Sequence, residues 1–304
     1  MQKKITVSVG IPALNEESNI KNLLEKILEQ KERSFRLEKI IVVSDGSTDR
    51  TEEEVLAVKS KKVTLITNKK RIGQALSQNK MIGENISDIL VFINGDVLPQ
   101  GNLFLEHLIS PILKDSSVGL VGAKVLPIGS ETFLGRVIDF SADLKHQLYR
   151  HKSSGNNIYN CHGRARAFSK PFLKKFKWKE IIAEDAYSYL RCIDAGFRFI
   201  YQPKAVVFYK SPQTIDDHMR QSIRFIQSKS IMAKFFDQQF VIEEYRFSKK
   251  EFFKTLIHYS IKNPHLLLTY SIIYILAKIR SIFGKKTKVT WDVSLSSKVV
   301  ARVG

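Results

Sequence analysis

The 304-residue chain is 43% hydrophobic and 10% aromatic, the balance of an ordered protein with room for one large core or two modest ones, which excludes a disordered or low-complexity chain. Its 49 Lys+Arg against 30 Asp+Glu leave a formal charge of +19, so an anionic partner is expected: nucleic acid, lipid headgroups or phosphorylated small molecules. Cys161 and Cys192 are the only cysteines, which excludes a disulfide framework or zinc knuckle and fits a reducing compartment.

The N-terminal run MQKKITVSVGIP has no long apolar stretch and reads as a first strand over residues 5–11 rather than as a signal peptide. Ile20, Leu23, Leu24, Ile27 and Leu28 then fall at helical spacing. Residues 39–43 form a second apolar run. Ser47 or Thr48 is placed to cap the next helix, with Glu52, Glu53 and Glu54 in its early turns. Val63–Thr67 is a third strand, a helix is expected over 73–85, and Ile89–Ile93 is a fourth strand. Strands separated by helix-length crossovers predict a parallel sheet covered on both faces, with ligands at the strands' carboxyl ends.

The region 126–210 reads as less regular. It holds a helical stretch with Asp185, Leu190 and Ile193 that ends near Gly196, then two short strands over 197–201 and 205–209. From about residue 213 the chain is expected to be mostly helical, with a basic tail.

Three strand ends carry unusual chemistry. Strand one runs into Pro12-Ala13-Leu14-Asn15-Glu16-Glu17, strand two into Ser44-Asp45-Gly46-Ser47-Thr48-Asp49, and strand four into Asn94-Gly95-Asp96. Together with Ala183-Glu184-Asp185, these motifs resemble family 2 glycosyltransferases of the GT-A fold, over roughly residues 5–225. The resemblance implies an α/β fold with a Rossmann-like, mostly parallel sheet flanked by helices over 1–230, and the composition of the remainder, 231–304, predicts a helical, basic, membrane-associating extension. It also implies a nucleotide-diphosphate sugar donor, with Mg2+ or Mn2+ as cofactor.

By that resemblance Asp45 accepts a hydrogen bond from the nucleotide base or ribose, where a local reading makes it an Asx-turn. Pro12, Ala13, Asn15 and Glu16 would line the nucleotide pocket, although Glu16 also suits a helix's first turn. Asp96 would ligate the metal, since one or two carboxylates suffice for a cation that also holds phosphate oxygens. Asn94 stands where the family's motif has an Asp; its carbonyl would meet ribose or a metal-bound water, and a plain Asn-Gly turn is the alternative. Arg71 would reach base or phosphate oxygens, or lie solvated in its Lys-rich turn.

Asp185 is the expected catalytic base of an inverting transfer, and its neighbour Glu184 should raise the pKa of one member of the pair. Gln221-Ser222-Ile223-Arg224-Phe225 resembles a Gln-x-x-Arg-Trp element, so Gln221, Arg224 and Glu184 are expected at the pyrophosphate or acceptor. His218 and Arg220 read as surface residues. Arg164 or Arg166 would face a lipid phosphate, with an ordinary strand over 163–168 the preferred reading.

Residues 266–283 are the most apolar stretch, broken by Lys278 and Arg280, and the unbroken part is shorter than the roughly 20 residues of a span. With Phe252 and Phe253 before it and Lys285, Lys286 and Lys288 after it, a helix lying in the membrane interface is expected; a core helix and a tilted span are the alternatives. A peripheral protein at the cytoplasmic face of the membrane follows, and no nucleic-acid partner, because no docking motif is present. The expected activity is transfer of a sugar to a lipid-linked or saccharide acceptor. The alternatives are a polyprenyl-phosphate sugar synthase and a non-catalytic basic module that binds anionic membrane or nucleic acid.

Overall fold

The computed structural model describes residues 4–283. The chain opens with β1 (Ile5–Ala13), α1 (Ile20–Leu28), β2 (Phe35–Ser44), α2 (Thr51–Ala57), β3 (Val63–Thr67), α3 (Gln74–Glu84) and β4 (Ile89–Ile93). The β1 strand pairs in parallel with β2 on one side and β4 on the other, and β2 pairs in parallel with β3. Strand order therefore reverses beside β1, which leaves a crevice at the carboxyl ends of β1 and β4.

The second half runs through β5 (Val97–Pro99), α4 (Phe104–Lys114), β6 (Val118–Pro127), α5 (Phe133–Tyr149), β7 (Ala165–Ser169), α6 (Lys170–Leu173), α7 (Glu184–Asp194) and β8 (Arg198–Tyr209). The full order is β3-β2-β1-β4-β7-β6-β8-β5. The β7 strand runs antiparallel between β4 and β6, β8 runs parallel to β6, and β5 closes the far edge antiparallel to β8.

Alternation along β2 shows how the sheet is covered. Ile40 and Val42 enter one core with Ile20, Leu24 and Leu108, whereas Ile41 and Val43 enter a second core with Met81, Phe168 and Leu190. Both faces are dry, as helices on both sides require. The second core is aromatic: Phe92 meets Phe168 and Trp178 edge-on at 5.3 and 5.2 Å.

Three local expectations need correcting. The region 126–210 contains a helix that the sequence reading lacks, the 17-residue α5, whose first turn is capped by Thr132 Oγ1 accepting from Gly135 N at 3.1 Å. The two strands expected over 197–201 and 205–209 are one strand, β8; the break between them is a register shift against β6 beside Ala123 and Lys124. Neither Ser47 nor Thr48 caps α2, since Asp49 Oδ1 accepts from Thr51 N at 3.0 Å.

Four helices follow: α8 (Ile215–Met232), α9 (Gln238–Glu244), α10 (Lys249–Lys262) and α11 (Pro264–Phe283). The boundary drawn at 230 falls inside α8, whose Met232 is fully buried in the second core together with Val241 of α9. Tyr259 of α10 and Tyr270 and Ile273 of α11 pack on Val137, Phe140 and Leu144 of α5 in a third core. By length and composition α11 is apolar enough to cross a membrane, yet 22% of its apolar window is buried inside the protein. Its outer faces expose Leu268, Ile272, Ile275, Leu276, Ile279 and Ile282. Lys285, Lys286 and Lys288 lie outside the described residues.

Candidate active site

Asp45, the first residue past β2, is held to β1 by its own N–H, which donates to Ala13 O at 2.8 Å. Its carboxylate is buried and folds the loop after β3 across the sheet end. Oδ1 accepts from Asn68 Nδ2 and Ile72 N, both at 2.9 Å, and Oδ2 accepts from Gly73 N at 2.8 Å. Gly73 has φ +94, a left-handed conformation that a side chain would strain, so the turn that delivers its N–H to Asp45 needs glycine. Arg71 rides on this loop and lines the crevice.

Asn15 takes the left-handed φ of +55 that asparagine tolerates. Its N–H donates to Ser47 Oγ at 3.2 Å and its Oδ1 accepts from Thr48 N at 2.8 Å. It staples the β1 loop to the β2 loop and does not line the crevice, contrary to the sequence expectation. Glu16 is buried and accepts from Asn19 Nδ2 at 3.0 Å. A Cβ on Gly95 would come within 2.8 Å of Glu16 Cγ, so the β4 loop approaches this closely only with glycine there.

That β4 loop is fixed through Asn94. Asn94 N donates to Arg164 O at 2.9 Å, and Asn94 Oδ1 accepts from Gln74 Nε2 at 3.0 Å. Asp96 then carries a buried Oδ1 with no hydrogen-bond partner. A buried carboxylate oxygen left unpaired is costly and asks for a cation or a donor.

On the opposite wall α7 begins after Ala183, which sits at φ +63. A non-glycine residue there costs about 1 kcal/mol, and the helix it starts presents Glu184 and Asp185 to the crevice. Asp185 Oδ1 accepts from Ala186 N at 2.8 Å. Glu184 Oε1 accepts from Gln74 Nε2 at 3.3 Å and lies 3.7 Å from Arg166 Nη2. Burial raises the Glu184 pKa and the adjacent Asp185 charge adds to the rise, while Arg166 and Arg224 oppose it.

Arg166, a candidate for a lipid phosphate, is fully buried: Nη1 donates to Ser188 Oγ at 2.6 Å, and it serves the α7 N-terminus instead. From α8, Gln221 and Arg224 face the same space, and burial brings the Arg224 pKa down to about 10 against the pull of Glu184 and Asp185. His218 is a buried wall residue, not a surface one, with its pKa pushed down to about 4 by burial and by Lys145.

Apart from Asn15 and Arg166, the site residues singled out from the sequence line one cavity of about 450 Å3 at the strand ends. The family model of Glycosyl transferase family 2 matches residues 8–176, and that of Glycosyl transferase family group 2 matches residues 94–293. The chain belongs to glycosyltransferase family 2.

Among relatives of this family 2 chain, a probable glycosyltransferase, YdaM, of Bacillus subtilis is 26% identical over 260 residues, covering 81% of this chain and 60% of the relative. Glucosyl-3-phosphoglycerate synthase of Mycobacterium tuberculosis is 32% identical over 120 residues, 38% of this chain and 36% of the relative. The chain therefore spans less than two thirds of either relative. The solved structure of a mannosyltransferase, PcManGT from Pyrobaculum calidifontis, in complex with GDP-Man and Mn2+, superposes with a TM-score of 0.67 at 18% identity, covering 94% of this chain and 89% of that one. The mycobacterial synthase with Mn2+, UDP and phosphoglyceric acid superposes with a TM-score of 0.55 at 20% identity, over 75% of this chain and 78% of that one. The fold is GT-A.

Several residues of the family 2 site were not singled out from the sequence: Gln74, which bridges two walls, and Lys145, His146, Tyr149, His162 and Tyr270 in the half of the cavity farther from Asp45. The apolar spacing of Leu134, Val137, Ile138 and Leu144 was the available signal for α5, the helix that brings three of them.

Proposed function

We propose that this family 2 protein is an inverting glycosyltransferase that moves a sugar from a nucleotide-diphosphate donor to a lipid-linked or saccharide acceptor, with Mg2+ or Mn2+. The observation that carries this reading is the unpaired, buried Oδ1 of Asp96 in one cavity with Asp185. Asp96 would hold the cation, and the donor's diphosphate would be its other source of oxygen ligands. No group of three or more His, Cys, Asp or Glu ligands gathers among the described residues, which fits a cation shared with substrate. When bound, such a cation neutralises charge on the departing nucleoside diphosphate.

The chain's own groups do the rest. Asp45 has spent three of its roughly four acceptor positions on the loop it holds, and the remaining one is free for the base or ribose. Arg71 adds positive charge near the phosphates. Asp185 takes the proton of the acceptor hydroxyl as that oxygen attacks the anomeric carbon from the side opposite the leaving group, which inverts the centre. Arg224 and Glu184 orient the acceptor.

Residues 231–283 serve as the membrane-facing part. The α10 and α11 helices expose Phe252, Phe253, Ile257, Ile272, Ile275 and Ile279, and Lys249, Lys250, Lys254, Lys262 and Lys278 are exposed on the same helices. An apolar face edged with lysine complements an anionic lipid surface. Because α11 packs along α5 and α8, lying on the bilayer suits it better than spanning, and a peripheral protein at the cytoplasmic face follows.

The test is Asp185→Asn. The variant should keep Mn2+-dependent binding of UDP or GDP and lose sugar transfer, read as release of nucleotide from a panel of donors. Retained turnover removes Asp185 from the role of base.

A further inference from the structure

The cavity has two chemically different halves. The half at the strand ends is acidic and belongs to the donor reading. The other half, between α5, α8 and α11, is cationic and aromatic, and nothing in the donor reading uses it.

Two cations there lack a carboxylate. Lys145 Nζ sits over the rings of Tyr270 and Phe225, 5.4 and 5.9 Å from their centroids, and makes no ion pair among the described residues. The Arg164 guanidinium stacks on Tyr209 at 3.9 Å, and its buried Nε has no hydrogen-bond partner. Such a cation is stabilised by an incoming anion, and a guanidinium edge left open suits phosphate oxygens. Three imidazoles fill the spaces between. His162 is pushed down to about 3 and His218 to about 4, and His146 is also lowered. Burial is the first cause in each, and nearby cations deepen it, so they stand neutral and bring hydrogen-bonding capacity without further charge.

The exit from this half is apolar. Tyr270 is buried and Tyr274 is 42% exposed, and beyond them α11 turns Ile275, Leu276 and Ile279 outward. A path from an unpaired cation pair, past tyrosines, onto an aliphatic face fits a ligand with an anionic head and a hydrocarbon tail.

We propose that Lys145 and Arg164 grip the phosphate of an amphiphilic acceptor whose tail leaves over Tyr270 and Tyr274 onto α11. This rests on the glycosyltransferase reading for the word acceptor, whereas the anion site stands on its own residues. Arg164 O accepts from Asn94 N at 2.9 Å, so the grip is built next to the loop of Asp96 and the phosphate is held beside the donor.

The full chain in a neutral detergent is titrated with dodecyl phosphate, glycerol 3-phosphate and dodecyl maltoside, and separately with UDP or GDP plus Mn2+. Dodecyl phosphate should bind about tenfold or more tightly than either of the others. Lys145→Gln and Arg164→Gln should each weaken it about tenfold, the loss expected for one charge-assisted contact. Nucleotide binding, retained in both variants, shows that they are folded. Equal affinity for glycerol 3-phosphate overturns the tail, equal affinity for the maltoside overturns the phosphate, and a preference that survives both substitutions overturns the assignment of the grip. Normal dodecyl phosphate binding with no nucleotide binding in the wild type supports this site and sinks the donor reading instead.

Discussion

Gln74 and Glu184, 110 residues apart in the chain, meet across the cleft: Gln74 Nε2 donates to Glu184 Oε1 at 3.3 Å. The same nitrogen donates to Asn94 Oδ1 at 3.0 Å. One amide therefore ties the loop of Asp96 to the first turn of α7, and the spacing between Asp96 and Asp185 depends on it.

Gln74→Ala removes both bonds, each worth about 1 kcal/mol, so turnover should fall roughly tenfold or more. Nucleotide affinity, measured by calorimetry, should change less than about threefold. A purely structural role would instead lower the melting temperature and affinity together.

Arg166 and Glu184 form a buried pair, and Arg166 also holds Ser188. Arg166→Leu leaves Glu184 in its pocket with Arg224 as the remaining cation opposing the rise in its pKa, a change that costs about 3 kcal/mol. In a protein of this size that lowers the melting temperature by roughly 10 °C. Adding Glu184→Gln should recover part of the loss, because the uncompensated charge is gone. Scanning fluorimetry on the two variants checks both signs.

His162 and His218 have pKa values of about 3 and 4 in the fold against 6.5 for the free side chain. The unfolded chain binds the extra protons first. Their contribution to stability is thus complete above about pH 6.5 and is lost as pH falls toward the folded values, at about 1.4 kcal/mol per pH unit for each. His218 packs against Lys145 of α5, Tyr270 of α11 and Ser222 on its own helix. His162 faces Arg164 and Arg166 on its own segment and Lys145 and His146 of α5. The melting temperature should fall between pH 6.5 and 4.5, and His218→Gln should flatten that slope by about half.

The apolar face of α10 and α11 predicts co-sedimentation with vesicles that contain phosphatidylserine, weakened about tenfold or more by Ile272→Glu with Ile279→Glu, since each buried side chain contributes about 1.5 kcal/mol or more. Raising the salt should weaken binding further through the lysine border. Equal binding of wild type and variant would remove this face from the membrane.

How much of this is legible in the sequence depends on the range of the interaction. Val63–Thr67 and Ile89–Ile93 are readable to the residue, because each is a short apolar run bounded by turn chemistry. That Asp45 and Asp96 share a cavity is readable because they sit at strand ends, where local sequence already implies the crevice. Asn15 misleads for a local reason: an asparagine in a turn serves equally as a ligand or as a left-handed staple, and here Ser47 and Thr48 take it. The meeting of Lys145 with His218 is not readable, although the apolar spacing of α5 marks the helix that carries Lys145. Their neighbourhood exists only once α5, α8 and α11 pack together, and no motif marks a meeting of residues that far apart.

The central claim is that Asp96 holds a cation shared with a nucleoside diphosphate. Titrating UDP and GDP into the protein with and without Mn2+, for wild type and Asp96→Ala, tests it most directly. The account predicts nucleotide binding that requires Mn2+ and disappears in the variant; unchanged affinity in Asp96→Ala would contradict it.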